Sequence, residues 1–226
     1  MLAGLTMEAN GMSTRLIELL LRVFGRFRGG LNLITIIATT LFSGVSGSKL
    51  ADIAAVGGII VPAVRRTKQD PNDAAGLLAC TAIMSETIPP CVNMIIFGFV
   101  ASISIGGLFM AGVVPAIILA ISLSIVAVIY GKRIDPKDAI TTQRTLVRLI
   151  GGSMVALAMI VMIGKGVTSG VATSTEISAF AVIYALLVGG LAFRELTFKK
   201  VVHLFVKSAS MTGVCLLYTS DAADEE

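Results

Sequence analysis

The chain has 226 residues, 55% of them apolar and only 14% charged, with a mean hydropathy of +0.91. A soluble domain of this size carries about 25% charged residues, so the composition points to a membrane protein. The formal charge of +4 sits in loop clusters without interleaved aromatics, so it reports topology and gives no reason to invoke nucleic acid.

The first 14 residues lack the basic, apolar, small-residue order of a cleavable leader. Over residues 12–28, Arg15, Glu18, Arg22 and Arg26 recur at three- and four-residue steps beside Leu16, Leu19, Leu20 and Val23. This spacing predicts a basic amphipathic helix, capped by Ser13 and lying in the membrane interface.

Residues 31–64 form an apolar run broken at its centre by Ser43-Gly44-Val45-Ser46-Gly47-Ser48. Basic clusters flank it, Arg22, Arg26 and Arg28 before and Arg65, Arg66 and Lys68 after. Basic loops mark the cytoplasmic face, so the chain is expected to enter the bilayer and return to the same side. Each arm has room for about 12–16 residues, or roughly 18–24 Å of helix. That is short of a hydrocarbon core about 30 Å thick. A re-entrant helical hairpin with a Ser/Gly tip at membrane depth follows.

Residues 74–130 read as two spans, the first broken at 85–90, where Pro89 and Pro90 remove two backbone donors. A basic loop at 131–148 follows, with Lys132, Arg133, Lys137, Arg144 and Arg148. Two spans lie within 149–193, separated by the polar turn Thr168–Glu176 and ending at Arg194, Lys199 and Lys200. All four basic clusters then fall on one side. Residues 197–211 form a second amphipathic basic stretch, whose His203 reads as a solvated bystander. The acidic tail at 215–226 is atypical, either a solvated end or an abnormal junction, and receives no functional weight. Cys80, Cys91 and Cys215 are odd in number and far apart, and they read as small apolar fillers.

Irregular backbone at membrane depth is tolerated where it lines a cavity, and in transporters it holds substrate and coupling ion. A hard cation such as Na⁺ wants oxygen ligands. The first break offers Ser43, Ser46 and Ser48, with Gly44 and Gly47 permitting sharp turns. The second offers Ser85, Thr87 and the carbonyls preceding Pro89 and Pro90. Close helix packing is the alternative role for the small residues. Lys49, Asp52 and Glu86 are the charged residues at membrane depth and are functional candidates by that placement. Lys49 could pair with Asp52 three residues on, pair with Glu86 across the breaks, or receive a substrate carboxylate. No nucleophile–base pair can be assembled, since His203 is the only histidine, and no phosphate-cradling GxxxxGK[ST] motif is present. The chain is therefore not expected to be an enzyme or to need a cofactor.

The run Phe42–Gly57, followed by Ile60-Val61-Pro62, resembles the first hairpin of the large permease (DctM-type) subunit of TRAP transporters. So do Ser85-Glu86-Thr87-Ile88-Pro89-Pro90, the segment Ile105–Gly112, and Gly170-Val171-Ala172-Thr173-Ser174-Thr175-Glu176. The likeness covers about residues 3–214. It implies an all-α polytopic membrane protein with a partial ion-transporter-like fold, in the bacterial inner membrane. It also implies Na⁺-coupled, elevator-like import of organic acids of the C4-dicarboxylate or sugar-acid type. The implied partners are a small DctQ-type membrane subunit and a periplasmic DctP-type binding protein. Carried onto this sequence, the ion and substrate positions are Ser43–Ser48 and Ser85–Pro90. Three departures stand out: Cys91 where Ser is usual, Glu86 where Gly is frequent, and Ser174 in place of Pro. The family's large subunit is nearly twice as long, so the chain reads as a fragment with half the site. The competing expectations are a proton- or Na⁺-coupled anion transporter of a related hairpin-containing family, and a non-transporting membrane assembly subunit.

Overall fold

A computed structural model describes residues 1–89, 91–132, 146–169, 173–193 and 196–224. Pro90, the basic residues Arg133, Lys137, Arg144 and Arg194, and the segment 170–172 lie outside them. In chain order the helices are α1 (Leu2–Ala9), α2 (Met12–Phe24), α3 (Gly30–Ser46), α4 (Lys49–Arg66) and α5 (Pro71–Ile83). They continue with α6 (Val92–Val100), α7 (Ile105–Tyr130), α8 (Leu146–Ser169), α9 (Ser174–Leu187) and α10 (Phe198–Asp224). A 3₁₀ turn at Met84–Glu86 extends α5, and a π turn at Val188–Ala192 extends α9.

Among the described residues every regular element is helical. α7 and the Leu149–Gly166 stretch of α8 are long and apolar enough to cross a membrane, and two shorter apolar helices accompany them. α7 buries only Phe109, Gly112, Ala116 and Ala127, and turns Ile117, Ile121, Ile125 and Ile129 outward. An exposed apolar face of that size marks contact with lipid or protein. The chain is an all-α membrane protein.

α3 is the hub. It packs on α1, α2, α4, α5, α7 and α8, and on the 3₁₀ turn. Along one face it carries Thr35, Thr39, Ser43 and Ser46, all buried. Helix is possible in this dry setting because Thr35 and Thr39 donate their hydroxyls to the carbonyls of Leu31 and Thr35 at 3.0 and 2.8 Å. Around it, Leu16, Ile17, Ile34, Phe42, Val56, Ile60, Met159 and Ala181 belong to one core that joins α2, α3, α4, α8 and α9.

Helix α2 turns the inner part of its polar stripe toward the protein. Arg15 and Glu18 are only 7% and 3% exposed, and the helix packs along α8. The reason is that α8 and the π turn accommodate the polar stripe. The Arg15 guanidinium lies 3.7 Å from the Phe193 ring centroid, a contact worth about 2 kcal/mol when desolvated. Ser153 donates to the Arg15 carbonyl at 3.0 Å, and Gly152 leaves room, since a Cβ there would sit 2.3 Å from Arg15 Cδ. Only the far end stays exposed, with Arg26 and Arg28. Nor is Ser13 the cap. Gly11 takes that place with φ of 69°, and the Asn10 side chain accepts from the Met12 N–H at 3.1 Å.

The base of α3 meets the end of α7. Gly29 adopts φ of 70° and its N–H donates to the Lys132 carbonyl at 3.1 Å. Arg28 and Lys132, one from each of two basic clusters, thereby lie at one end of the bundle. At the α9 N-terminus, Thr173 and Glu176 form a reciprocal capping box. Helix α10 extends well past residue 211, to Asp224, and His203 is exposed on it.

Candidate functional site

The first break is narrower than its sequence suggests. Ser43, Gly44, Val45 and Ser46 remain helical, and only Gly47 and Ser48 separate α3 from α4. The arms are therefore 17 and 18 residues, about 26 and 27 Å long. α3 stops because Gly47 enters the left-handed region at φ of 59°, its N–H bonding to the Ser43 carbonyl at 3.2 Å. Ser48 is extended and starts α4. The serines stay helical because their hydroxyls are engaged by a side chain from the other arm. Ser43 Oγ donates to Asp52 Oδ2 at 2.7 Å, and Ser46 Oγ donates to Asp52 Oδ1. Asp52 is fully buried in the first turn of α4, where the helix dipole favours a carboxylate. Ser46 Oγ also accepts from the Ser48 N–H at 3.2 Å. Helix α1 covers this tip closely, since a Cβ on Gly4 would lie 2.7 Å from Ser46 Cβ.

The second break follows α5. The N–H groups of Thr87 and Ile88 both bond to the Met84 carbonyl, at 3.0 and 3.1 Å. Thr87 Oγ1 donates to that carbonyl at 2.9 Å. Beyond it Pro89 offers no N–H, and a regular helix cannot resume until α6. α7 crosses tightly here, because a Cβ on Gly112 would come within 2.5 Å of the Thr87 carbonyl oxygen. The side chain of Ser85 and the whole of Pro90 fall outside the described residues.

The two breaks meet. A Cβ built on Gly44 would lie 3.8 Å from the Pro89 carbonyl oxygen and 4.0 Å from Ile88 Cγ2. Lys49 Nζ reaches Glu86 Oε1 at 2.6 Å, and Asn93 Nδ2 donates to the same oxygen at 3.0 Å. Deeper along α3, Thr81 donates to Thr39 at 3.4 Å. Substitutions at Gly44 should therefore be graded by size. Gly44→Ala makes ordinary contacts and leaves detergent melting temperature within about 2 °C, whereas Gly44→Leu wedges the breaks apart and costs about 1–3 kcal/mol. Equal melting of the two variants in thermal size-exclusion runs would show that the breaks do not touch.

Of the three charged candidates, Asp52 takes the serines, while Lys49 takes Glu86. The arrangement unites Ser43, Gly44, Ser46 and Asp52 with Lys49, Glu86, Thr87 and Pro89. Sequence reasoning overlooked Asn93, and it overlooked Gly4 and Gly112, whose lack of a side chain admits α1 and α7. Gly112 lies within the Ile105–Gly112 segment already singled out, but nothing in its spacing named its neighbour.

Comparison with known sequences gives this geometry a context. The sequence model of the tripartite ATP-independent periplasmic transporter DctM component matches residues 1–222. The chain belongs to the DctM family. It is 34% identical over 222 residues to the 2,3-diketo-L-gulonate TRAP transporter large permease protein YiaN of Escherichia coli (strain K12), covering 98% of this chain and 52% of that protein. With the sialic acid TRAP transporter large permease protein SiaM of Vibrio cholerae it shares 30% over 220 residues, 96% of this chain and 51% of SiaM. With the sialic acid TRAP transporter permease protein SiaT of Haemophilus influenzae it shares 32%, over 96% of this chain and 35% of SiaT. This DctM chain thus spans about half the length of the large permease relatives it matches. Members of the family are transporter permeases, not enzymes.

Proposed function

We propose that this DctM chain supplies the first-hairpin half of a Na⁺-coupled importer of organic acids in the bacterial inner membrane. In this reading the α3–α4 hairpin is re-entrant, and the protein moves its cargo by an elevator-like displacement. It works with a DctQ-type small membrane subunit and receives substrate from a DctP-type periplasmic binding protein. The observation that carries the reading is the meeting of two interrupted elements, Gly44 against the Pro89 carbonyl and Lys49 against Glu86. The C-terminal ends of α3 and of the α5 extension carry the negative poles of their helices. The hairpin contributes the hydroxyls of Ser43, Ser46 and Ser48 and the Asp52 carboxylate, and the second break contributes the Thr87 and Pro89 carbonyls. Ser43 and Ser46 keep lone pairs after donating to Asp52, so a Na⁺ ion could take them as ligands without displacing that contact. The relatives' names support an organic-acid cargo, since diketogulonate and sialic acid are both sugar acids.

The test is uptake of a labelled sugar acid by the permease that carries this sequence, reconstituted in liposomes with its small membrane subunit and supplied with its periplasmic binding protein. An inward Na⁺ gradient should drive accumulation, and its replacement by choline should abolish it. The Ser46→Ala/Ser48→Ala variant should lower the apparent Na⁺ affinity tenfold or more. Buried Asp52 favours one competing reading, a proton-coupled transporter of related build. Accumulation driven by a pH gradient in the absence of Na⁺ would establish that reading instead.

A further inference from the structure

We propose that Lys49 receives a carboxylate of the transported acid, and that Glu86 occupies that place until the acid arrives. The inference rests on the transporter reading above and assigns a substrate contact within it. Lys49 stands at the first position of α4, where the helix dipole disfavours a cation and favours an anion. The ammonium group and the N-terminal end of α4 thus place two positive features together at the hairpin tip. A carboxylate is already seated on the ammonium, that of Glu86 from the other break, at 2.6 Å. The pair remains reachable, with side-chain exposures of 48% for Lys49 and 35% for Glu86. Asn93 Nδ2 donates to the same Glu86 oxygen at 3.0 Å, so a carboxylate in this position meets a neutral donor as well as a charge. Asp52, by contrast, is buried with its oxygens held by Ser43 and Ser46, and cannot be exchanged so readily.

A partly exposed ion pair is weak, so a ligand carboxylate can displace Glu86 at small cost. The displaced side chain lowers apparent affinity by the fraction of time it holds the site. Two substitutions therefore act in opposite directions. Glu86→Gln frees Lys49 and lowers KM about two- to fivefold. Lys49→Gln removes the receiving charge and raises KM about tenfold or more.

The experiment measures KM for 2,3-diketo-L-gulonate and for sialic acid in liposomes containing the permease that carries this sequence with its small membrane subunit, the acid being presented on the periplasmic binding protein. Wild type, Lys49→Gln, Glu86→Gln and the exchanged pair Lys49→Glu/Glu86→Lys are compared. Opposite KM shifts in the single variants, with KM still raised in the exchanged pair, support the assignment. The exchange rebuilds the ion pair with its polarity reversed, so it repairs a structural link but not a carboxylate receptor at position 49. Parallel shifts in the single variants, or recovery of wild-type KM on exchange, would overturn it. Failure of the wild type to accumulate either acid under a Na⁺ gradient removes the transporter reading beneath it, an outcome distinct from any pattern among the variants.

Discussion

Asp52→Ala should abolish Na⁺-dependent uptake and lower the stability of the folded permease by about 3 kcal/mol or more. The carboxylate accepts from Ser43 Oγ at 2.7 Å and from Ser46 Oγ, and all three groups are buried. Truncation leaves two hydroxyls without this acceptor, and each buried orphan costs about 1–3 kcal/mol. An opposing effect exists, because removing a buried carboxylate relieves the cost of keeping a charge out of water. The orphans decide the sign, since the serines stay behind in Asp52→Ala. A double-mutant cycle separates the two contributions. Ser43→Ala should be clearly destabilising in the wild-type background and nearly silent in the Asp52→Ala background, with a coupling of about 1–3 kcal/mol. Melting of the four proteins in detergent, followed by size exclusion, reads the cycle. Strict additivity would mean that Asp52 and Ser43 do not hold the hairpin together. Asp52→Asn, which keeps the volume and one acceptor, should retain the fold better than Asp52→Ala.

Gly29→Ala should be as damaging as the loss of Asp52, although Gly29 lies outside the two breaks. Its φ of 70° already costs an L-residue about 1–2 kcal/mol. A Cβ there would also lie 2.1 Å from the Ala127 carbonyl oxygen and 2.9 Å from its carbon. These are backbone atoms, so no rotamer change can relieve the clash, and the total should exceed about 4 kcal/mol. Gly58 in α4 provides the control. It is exposed in a helix interior, with nothing within 4 Å of its ideal Cβ. Gly58→Ala should therefore raise stability by about 0.5–1 kcal/mol. Comparable yields and melting for the two variants would contradict the close crossing at the α7 end.

The helical membrane class and the position of the second break were legible in the sequence, each for a plain reason. Two adjacent prolines cannot continue a helix, and Ile105–Tyr130 carries no charged residue over 26 residues. The first break was harder to bound. Its serines and glycines suggest six irregular residues, but whether a serine leaves the helix depends on what its hydroxyl finds. Ser43 and Ser46 find Asp52 from the opposite arm, a contact that local propensity cannot supply. The same limit explains α2. An amphipathic pattern states that one face is polar, and it does not say whether that face meets headgroups or, as here, Phe193 and α8. Short helix α1 had no periodicity long enough to read, although Gly4 proves to be its point of contact with the hairpin tip. For Lys49 the sequence left Asp52, Glu86 and a substrate carboxylate open, and folding paired it with Glu86 while Asp52 took the serines.

The α3–α4 hairpin is fastened at its root and at its tip to the stretch that runs from the end of α5 to just past α7. At its root Gly29 is hydrogen-bonded to Lys132 just past α7, and at its crest Lys49 is ion-paired with Glu86 just past α5. A rod pinned at head and foot cannot slide against the frame that pins it unless both pins open. While both contacts hold, the proposed elevator step would carry α5 through α7 along with the hairpin, a slab of the molecule and not a swinging tip.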